Sequence, residues 1–332
     1  MKAITISTVT PVYSGEAYLA ELVSVLAEVK QSWEKQDKPF RLVESIFVLD
    51  GPIDGSAKVL ENLVGQCHWI HVVTLAKNFG QHPATMAGIL YSSGDWIATL
   101  DEDLQHDPRC LVELLKKAAT DQIDVVYAAP LNKVHNYGFR DFASRRYKAL
   151  MSRVLGNPHI DKFNSFRLIR GVVGRAAASV CSHETYFDMA LCWFTTRVGT
   201  VALNLRDRRH EEGRKSGYSF RSLVQHARRL VISSHSKMLR IGAWVGGLSM
   251  FCSVVAGIGV LILKCVAPEK IGIQGWASLI LVVLFFGGLT SMLLSIVLEF
   301  LTNMSLHTQG KPTFFVVNRS SDDILKRSLL KD

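Results

Sequence analysis

Apolar runs typical of strands alternate with helical patterns in the first part of the chain. The strand-like runs are Ile4–Val9, Ser45–Leu49, Ile70–Leu75, Trp96–Leu100 and Val125–Ala129. The helix-like patterns between them are Tyr18–Val29, Ala57–Val64, Pro83–Tyr91 and Pro108–Ala119. This alternation predicts an α/β fold in which a mostly parallel sheet has helices on both faces.

Two later segments, Ile241–Leu263 and Trp276–Leu298, contain no charged residue. Each is long enough for a membrane-spanning helix, which needs about 20 residues. Two buried helices of a globular core are the alternative, but such helices rarely run this far without a polar face. We therefore expect a globular domain over 1–218, an amphipathic interfacial segment over 219–240, transmembrane helices over 241–263 and 276–298, and a tail over 299–332.

Basic residues crowd the outer flanks of the two predicted spans. They are Arg228, Arg229, Lys237, Arg240, Lys311, Arg319, Lys326 and Arg327. The loop between the spans has only Lys264 and Lys270 against Glu269. The positive-inside rule therefore predicts that the globular domain and both termini are cytoplasmic.

The composition agrees with a membrane protein, since 48% of the residues are hydrophobic and the mean hydropathy is +0.18. The net charge of +9 suits an anionic lipid surface. Nucleic acid is not expected as a partner, because no helix-turn-helix, zinc or base-stacking pattern accompanies the charge. The N-terminus resembles a first strand rather than a secretory signal. The six cysteines show no metal-ligand spacing and are expected to be reduced thiols.

A polar loop follows each of the first four strand-like runs. The loops are Thr10–Glu16, Asp50–Ser56, Lys77–His82 and Asp101–His106. Because the carboxyl ends of parallel strands meet at one edge of a sheet, these loops predict a nucleotide pocket there. Neither a GxGxxG turn nor a GxxxxGKS/T loop is present, which disfavours a dinucleotide site and an ordinary nucleoside-triphosphate site.

The fourth loop carries Asp101 and Asp103 directly after a strand-like run. Two carboxylates one residue apart suit a hard divalent cation that also binds phosphate oxygens. The alternative is an acidic turn before a helix that begins at Pro108. The three other polar loops at the same edge favour the metal site.

These loops resemble the motifs of the family 2 glycosyltransferases with a GT-A fold. Thr10–Glu16 is similar to the family's PVYNEE loop, Val48–Ser56 to its DDGSxDGS segment, and Lys77–His82 to its RNFGQ loop. Asp101–His106 resembles its DADLQ signature. The two predicted spans and Gly310–Val317 resemble the polyprenyl-phosphate glycosyltransferase branch, which includes dolichyl-phosphate mannose synthase-like, GtrB-like and ArnC-like proteins.

The chain departs from these motifs at several positions. Ser14 and Gly15 replace Asn and Glu of the first loop, while Leu49 and Pro52 replace the first Asp and the Ser of the second. The pair Asp101 and Asp103 is intact. These changes leave the identity of the nucleotide open.

The resemblance implies a GT-A-like, Rossmann-like fold and a sugar transferase. The expected donor is a UDP- or GDP-linked sugar, and the expected acceptor is a polyprenyl phosphate of the undecaprenyl type. The reaction would proceed with inversion at the cytoplasmic face of a bacterial inner membrane. Its product would be a lipid-linked sugar for a cell-envelope glycan or for glycolipid modification.

The resemblance also implies roles for individual residues. The expected catalytic residues are Asp101, Asp103 and Gln105, of which the two carboxylates would bind Mg²⁺ or Mn²⁺. The expected nucleotide-sugar-binding residues are Pro11, Tyr13, Glu16, Asp50, Lys77, Asn78, Gly80 and Asp101. The alternative role for Asp50 is an Asx-turn before Gly51.

On the acceptor side, the basic segments resemble family loops beside the membrane. Arg140, Arg146, Arg209 and Ser216 are expected to bind the acceptor phosphate, because guanidinium groups supply both paired donors and charge. For most other basic residues, the alternative is a solvated face near lipid headgroups.

A phosphate acceptor is already anionic at neutral pH and needs no general base. The alternative reaction is transfer to a sugar hydroxyl of a lipid-linked oligosaccharide, which needs a base, with Asp188 as the candidate. The TED and QxxRW motifs of polysaccharide synthases are missing, which favours the phosphate acceptor. A non-catalytic scaffold is disfavoured by the intact acidic motif, and a transporter subunit by two spans without charges. A homo-oligomer is left open.

Overall fold

The computed structural model describes residues 3–130, 159–181, 185–203, 238–266, 276–308 and 329. These residues belong to two compact units. The first unit contains the described strands and shorter helices together with Leu329, and the second contains two long apolar helices.

A seven-stranded sheet forms the centre of the first unit. Its strands are β1 (Ile4–Val12), β2 (Phe40–Leu49), β3 (Ile70–Thr74), β4 (Trp96–Thr99), β5 (Val125–Pro130), β6 (Arg167–Arg170) and β7 (Val198–Leu203). Their order is β3-β2-β1-β4-β6-β5-β7. Only the pairs that β6 makes with β4 and β5 are antiparallel. The predicted mostly parallel sheet is confirmed.

Six helices lie between these strands in the part of the first unit that the structure describes. They are α1 (Leu19–Lys35), α2 (Ser56–Val64), α3 (Gln81–Tyr91), α4 (Leu111–Asp121), α5 (Gly171–Val180) and α6 (Phe187–Phe194). Two short 3₁₀ turns cover Pro108–Cys110 and Ile160–Lys162. Asp107 caps the first of these turns by accepting a hydrogen bond from the Arg109 N–H, so the turn leads directly into α4.

The sheet buries both of its faces. Side chains alternate along each strand, so that in β2 Phe47 and Leu49 join one apolar cluster while Ile46 and Val48 join the other. The first cluster also contains side chains of α1, α2 and α4, and the second contains side chains of α3, α5 and α6. The predicted helices on both faces are therefore confirmed, and burial on both faces explains the continuous apolar runs in the sequence.

β6 begins and ends with an arginine. Arg167 and Arg170 are buried in this strand and pair with Asp188 and Asp124. The guanidinium of Arg170 also lies 4.7 Å from the ring centre of Trp96. These two arginines support the sheet, so they are not part of a solvated basic face.

The second unit contains α7 (Met238–Val266) and α8 (Trp276–Thr308). Each includes a stretch long and apolar enough to cross a membrane, Gly242–Val266 and Leu279–Thr302. Most side chains of these stretches are exposed, whereas the core helix of a soluble protein would bury them. Both helices extend beyond the predicted spans.

Small residues bring α7 and α8 together. A Cβ added at Gly246 would lie 2.6 Å from the Gly288 carbonyl oxygen, and one added at Gly288 would lie 2.7 Å from that of Gly246. The Ser253 hydroxyl donates to the Leu281 carbonyl over 2.6 Å. Close backbone approach and hydroxyl bonds of this kind are typical of helix pairs in membranes.

Candidate active site

The loops after β1 and β2 are joined by hydrogen bonds at the carboxyl edge of the sheet. The Ile53 N–H donates to the Tyr13 carbonyl over 3.1 Å. Glu16 accepts from the Gly55 N–H over 2.8 Å, and its own N–H donates to Asp54 over 3.1 Å. Burial raises the pKa of Asp54, but hydrogen bonds from Ser56 and from the Glu16 N–H outweigh burial and lower that pKa below its usual value.

The loop after β3 is held by Asp50 at the end of β2. Its two carboxylate oxygens accept the N–H groups of Phe79 over 2.6 Å and Gly80 over 2.8 Å. Gly51 has a φ of +59°, and a Cβ there would lie 2.8 Å from the Asn78 nitrogen, so only glycine fits. Asp50 is 3% exposed, and the contacts in the structure make it a support of the third loop.

The loop after β4 is tied to two other segments through Asp101. One carboxylate oxygen accepts from the Gln81 side-chain amide over 2.7 Å, and the other accepts from the Ser165 hydroxyl over 2.9 Å. The Asp101 N–H donates to Nδ1 of His106 over 3.1 Å, which leaves the proton of the neutral ring on Nε2. His106 is buried and stacks on Phe166 with ring centres 4.8 Å apart. These contacts fix the Asp101 carboxylate in one orientation.

Asp103 and Gln105 lie in a tight turn. The Asp103 carboxylate accepts from the Gln105 N–H over 3.2 Å, and Leu104 between them has a φ of +59°. A leucine in the left-handed region is uncommon and costs conformational energy. Asp103 is buried, while Gln105 is partly exposed.

The remaining predicted donor-side residues fall into two groups. Tyr13, Glu16, Lys77 and Asn78 are exposed, whereas Pro11 is buried within β1. The Lys77 ammonium lies 5.1 Å from the ring centre of the exposed Phe79. The structure therefore brings the four predicted loops together at one edge, with polar and aromatic side chains open to solvent.

Sequence reasoning missed four residues that position the predicted ones: Gln81, Glu102, Ser165 and His106. Gln81 and His106 stood inside motifs that were recognised, but nothing in the sequence showed their contact with Asp101. Glu102 stood between the two predicted ligands. In the structure its carboxylate accepts from the Tyr13 N–H over 2.9 Å.

Asp188, the candidate base for a hydroxyl acceptor, lies in a buried network. It is 1% exposed, forms an ion pair with Arg167 and accepts from the Tyr127 hydroxyl over 2.7 Å. Burial and the Asp188 charge raise the pKa of Tyr127 well above its usual value, and Asp188 raises the pKa of Arg167 although burial lowers it. A carboxylate paired in this way is a structural ion-pair partner. This geometry corrects the predicted role of Asp188 as a base.

Several predictions fall outside the described residues. Arg140, Arg146, Arg209 and Ser216 belong to this group, and so does most of the predicted interfacial segment over 219–240. Residues 238–240 of that segment are the first turn of α7.

The chain is similar to several known proteins. The undecaprenyl-phosphate 4-deoxy-4-formamido-L-arabinose transferase of Shewanella sediminis (strain HAW-EB3) is 25% identical over 329 residues, which covers 98% of this chain and 96% of that protein. CsbB of Bacillus subtilis (strain 168) is 24% identical over 334 residues, covering 100% of this chain and 97% of that protein. The crystal structure of S. aureus TarS in complex with UDP-GlcNAc has a TM-score of 0.48 at 12% identity, over 99% of this chain and 92% of that chain.

The sequence model named glycosyl transferase family 2 matches residues 7–173, which is half of the chain and includes all four loops. The resemblance drawn from those loops is confirmed. This chain therefore belongs to glycosyl transferase family 2 and is a glycosyltransferase with a GT-A-like fold followed by two candidate membrane helices.

Proposed function

We propose that this chain transfers a sugar, with inversion, from a nucleotide sugar to a polyprenyl phosphate at the cytoplasmic face of a bacterial inner membrane. The observation that carries the proposal is the match to an undecaprenyl-phosphate transferase over 98% of the chain, so that both the sheet unit and the helical unit are covered. The product would be a lipid-linked sugar for the cell envelope.

The donor would bind at the carboxyl edge of the sheet. Tyr13, Glu16, Lys77 and Asn78 are exposed there and supply aromatic, acidic, basic and amide groups to a UDP- or GDP-linked sugar. The Gly80 N–H already donates to Asp50, so the backbone of this loop is preorganised. Asp50 and Pro11 would act through the shape of the loops, since both are buried.

The two proposed metal ligands suit a divalent cation that also binds the phosphates of the substrate. Among the described residues there is no group of three or more His, Cys, Asp or Glu side chains that could hold a metal. Mg²⁺ is commonly bound by one or two carboxylates together with substrate phosphates, and Asp101 and Asp103 match that pattern. Each oxygen of Asp101 has a lone pair beyond the one that Gln81 or Ser165 uses.

A bound Mg²⁺ or Mn²⁺ would neutralise the charge that grows on the pyrophosphate as the glycosidic bond breaks. Asp101 and Asp103 would hold it, and Gln105 would lie beside it in the same turn. The acceptor phosphate is anionic at neutral pH, so the chain has to orient it and exclude water rather than remove a proton. The burial of Asp188 agrees with a reaction that uses no carboxylate base.

The acceptor phosphate would bind to residues outside the described part of the chain. Arg140, Arg146, Arg209 and Ser216 are proposed to bind it, as paired donors and as positive charge. Leu329, which follows both helices in the chain, is buried in the core of the first unit, and this supports two crossings with both termini on one side. A homo-oligomer and the absence of nucleic-acid partners remain part of the proposal.

The test uses the full-length chain in detergent with undecaprenyl phosphate and a panel of UDP- and GDP-sugars. Lipid products are identified by mass spectrometry with Mg²⁺, with Mn²⁺ and with EDTA. We expect one donor to give a product whose mass equals the lipid phosphate plus one sugar, and EDTA to abolish it. Asp103→Ala should lower the rate about 100-fold or more.

Asp121→Asn is the matched control, because this carboxylate is exposed at the end of α4, where it forms an ion pair with Lys117. Its rate should equal that of the unchanged chain. A panel without any lipid product, or an Asp103→Ala chain as active as the control, would overturn the proposal. Transfer to a sugar hydroxyl instead of the lipid phosphate would favour the alternative acceptor.

A further inference from the structure

Glu102 lies between the two proposed metal ligands but contacts a different part of the molecule. Its side chain is buried, with 7% of the residue exposed. One carboxylate oxygen accepts from the Tyr13 N–H over 2.9 Å, and the Ser14 N–H lies 3.2 and 3.3 Å from the two oxygens. The carboxylate thus receives two consecutive backbone N–H groups of the loop after β1.

This contact depends on the absence of a side chain at Gly15. A Cβ added there would lie 2.8 Å from Oε2 of Glu102 and 3.2 Å from its Cδ. The φ of Gly15 is outside the left-handed region, so the backbone itself would accept another residue. Contact with Glu102, rather than the backbone conformation, is therefore the reason why position 15 requires glycine.

Gly15 is also fixed on its other sides. Its N–H donates to the Ser56 hydroxyl over 3.0 Å, and its carbonyl accepts the N–H of Leu19 at the start of α1.

The consequence is a direct link between two parts of the donor site. Tyr13 is 41% exposed on the loop proposed to bind the nucleotide, while Asp101 and Asp103 flank Glu102 on the turn proposed to bind the metal. Hydrogen bonds to a carboxylate are stronger than those between neutral groups, and burial strengthens them further. Glu102 therefore ties the two segments together beyond the ends of β1 and β4, which are already paired in the sheet.

We propose that Glu102 is a positioning residue that sets the affinity for the nucleotide–metal pair by fixing the loop of Tyr13 and Ser14 against the metal turn. This inference rests on the proposed donor site. Glu102 acts through backbone N–H groups and does not itself contact the donor.

The test measures binding of UDP and of GDP with Mn²⁺ to the full-length chain in detergent by titration calorimetry. The tighter nucleotide is then used with each variant. Glu102→Gln keeps the shape of the side chain but loses its charge, and we expect about tenfold weaker binding, as for loss of one hydrogen bond to a charged group. Glu61→Gln on α2 is the control, because this glutamate is exposed, and its affinity should not change.

A double-mutant cycle separates positioning from general damage. Gly15→Ala alone should weaken binding, because the new Cβ displaces Glu102, and Glu102→Ala alone should weaken it by removing the carboxylate. The double variant should bind no worse than Glu102→Ala, since no carboxylate is left to collide with the methyl group. If the affinity losses of the two single variants multiplied in the double variant, as for independent sites, the proposal would be contradicted. An affinity of Glu102→Gln within twofold of the unchanged chain would also contradict it.

The binding measurements and the sugar-transfer assay test different proposals. A chain that makes no lipid product but loses nucleotide affinity on Glu102→Gln would overturn the proposed function alone. A chain that makes the product while its affinity is unchanged in Glu102→Gln would overturn the positioning role alone. Thermal unfolding of each variant shows whether it is folded, and Glu102→Gln is the variant expected to keep its melting temperature closest to that of the unchanged chain.

Discussion

At the scale of single residues, the contacts of each carboxylate decide its role. Asp101 is partly exposed and is oriented by Gln81 and Ser165, so it is held in place yet open to a ligand. Asp50 is buried, and its two oxygens receive backbone N–H groups. Asp188 is buried against a guanidinium. All three side chains are carboxylates, but of these three only Asp101 is both held by hydrogen bonds and open to a ligand.

The buried pair of Asp188 and Arg167 gives a prediction about stability. Asp188→Asn leaves the Arg167 guanidinium, which is 2% exposed, without its carboxylate. An uncompensated buried charge costs about 3–5 kcal/mol, so we expect a large drop in melting temperature. Thermal unfolding of the full-length chain in detergent, followed by tryptophan fluorescence, measures it.

Two further variants make this prediction specific. Tyr127→Phe removes only the hydroxyl that donates to Asp188, and it should cost about 1 kcal/mol. Asp188→Asn combined with Arg167→Met should recover part of the lost stability, because no buried charge remains. If Asp188 were a base, Asp188→Asn would instead keep its melting temperature and lose turnover.

The sequence identified the carboxylates of the site but not the direction in which each one points. Asp101 and Asp103 could be predicted because a buried apolar run ends there and three other polar loops share its sheet edge. The contacts of Glu102 could not, because they depend on a loop 89 residues away in the chain. A side chain's partner across such a separation is set by the packed fold, which local pattern does not encode.

At the scale of elements, the local pattern likewise predicted some strands, while others depend on contacts made in the packed fold. β1 to β5 lie in apolar runs that alternate with helical patterns along the chain, so this pattern was sufficient to predict them. β6 has four residues, and arginine occupies both of its ends. Those arginines are buried only because Asp124 and Asp188 lie beside them, and such pairing is invisible in a local pattern.

The packing of α7 against α8 gives a prediction at the scale of elements. At Gly246 a side chain would meet the backbone of Gly288 and Met292 at 2.6 and 2.7 Å, and backbone atoms cannot move aside as a flexible side chain can. Gly246→Leu should therefore force α7 and α8 apart and cost about 1–3 kcal/mol, as overpacking does. The melting temperature and the monodisperse fraction in detergent measure this loss.

The neighbouring glycine is the matched control. A Cβ at Gly247 would meet no atom within 4 Å, so Gly247→Leu adds the same apolar bulk to the same helix without a collision. We expect it to behave like the unchanged chain. Equal losses at the two positions would mean that the pair of helices is not packed through Gly246.

At the scale of the whole molecule, the described residues of the first unit come from both sides of α7 and α8 in the sequence. Leu329 is the described residue after α8, and it is 5% exposed within the apolar cluster that also includes side chains of α1 and α4. The burial of Leu329 beside these helices agrees with the proposed topology of two membrane crossings.

This packing predicts that Leu329 stabilises the first unit. Leu329→Met should cost less than about 1.5 kcal/mol because it keeps the volume, whereas Leu329→Ala should cost about 2–5 kcal/mol because it leaves a cavity. Leu329→Asp should be worse than both, because it buries a charge without a partner. The measurement is the melting temperature of the full-length chain, read beside its rate of lipid product formation. A graded loss in this order would support the packing of Leu329 in the core, while three variants that melt like the unchanged chain would contradict it.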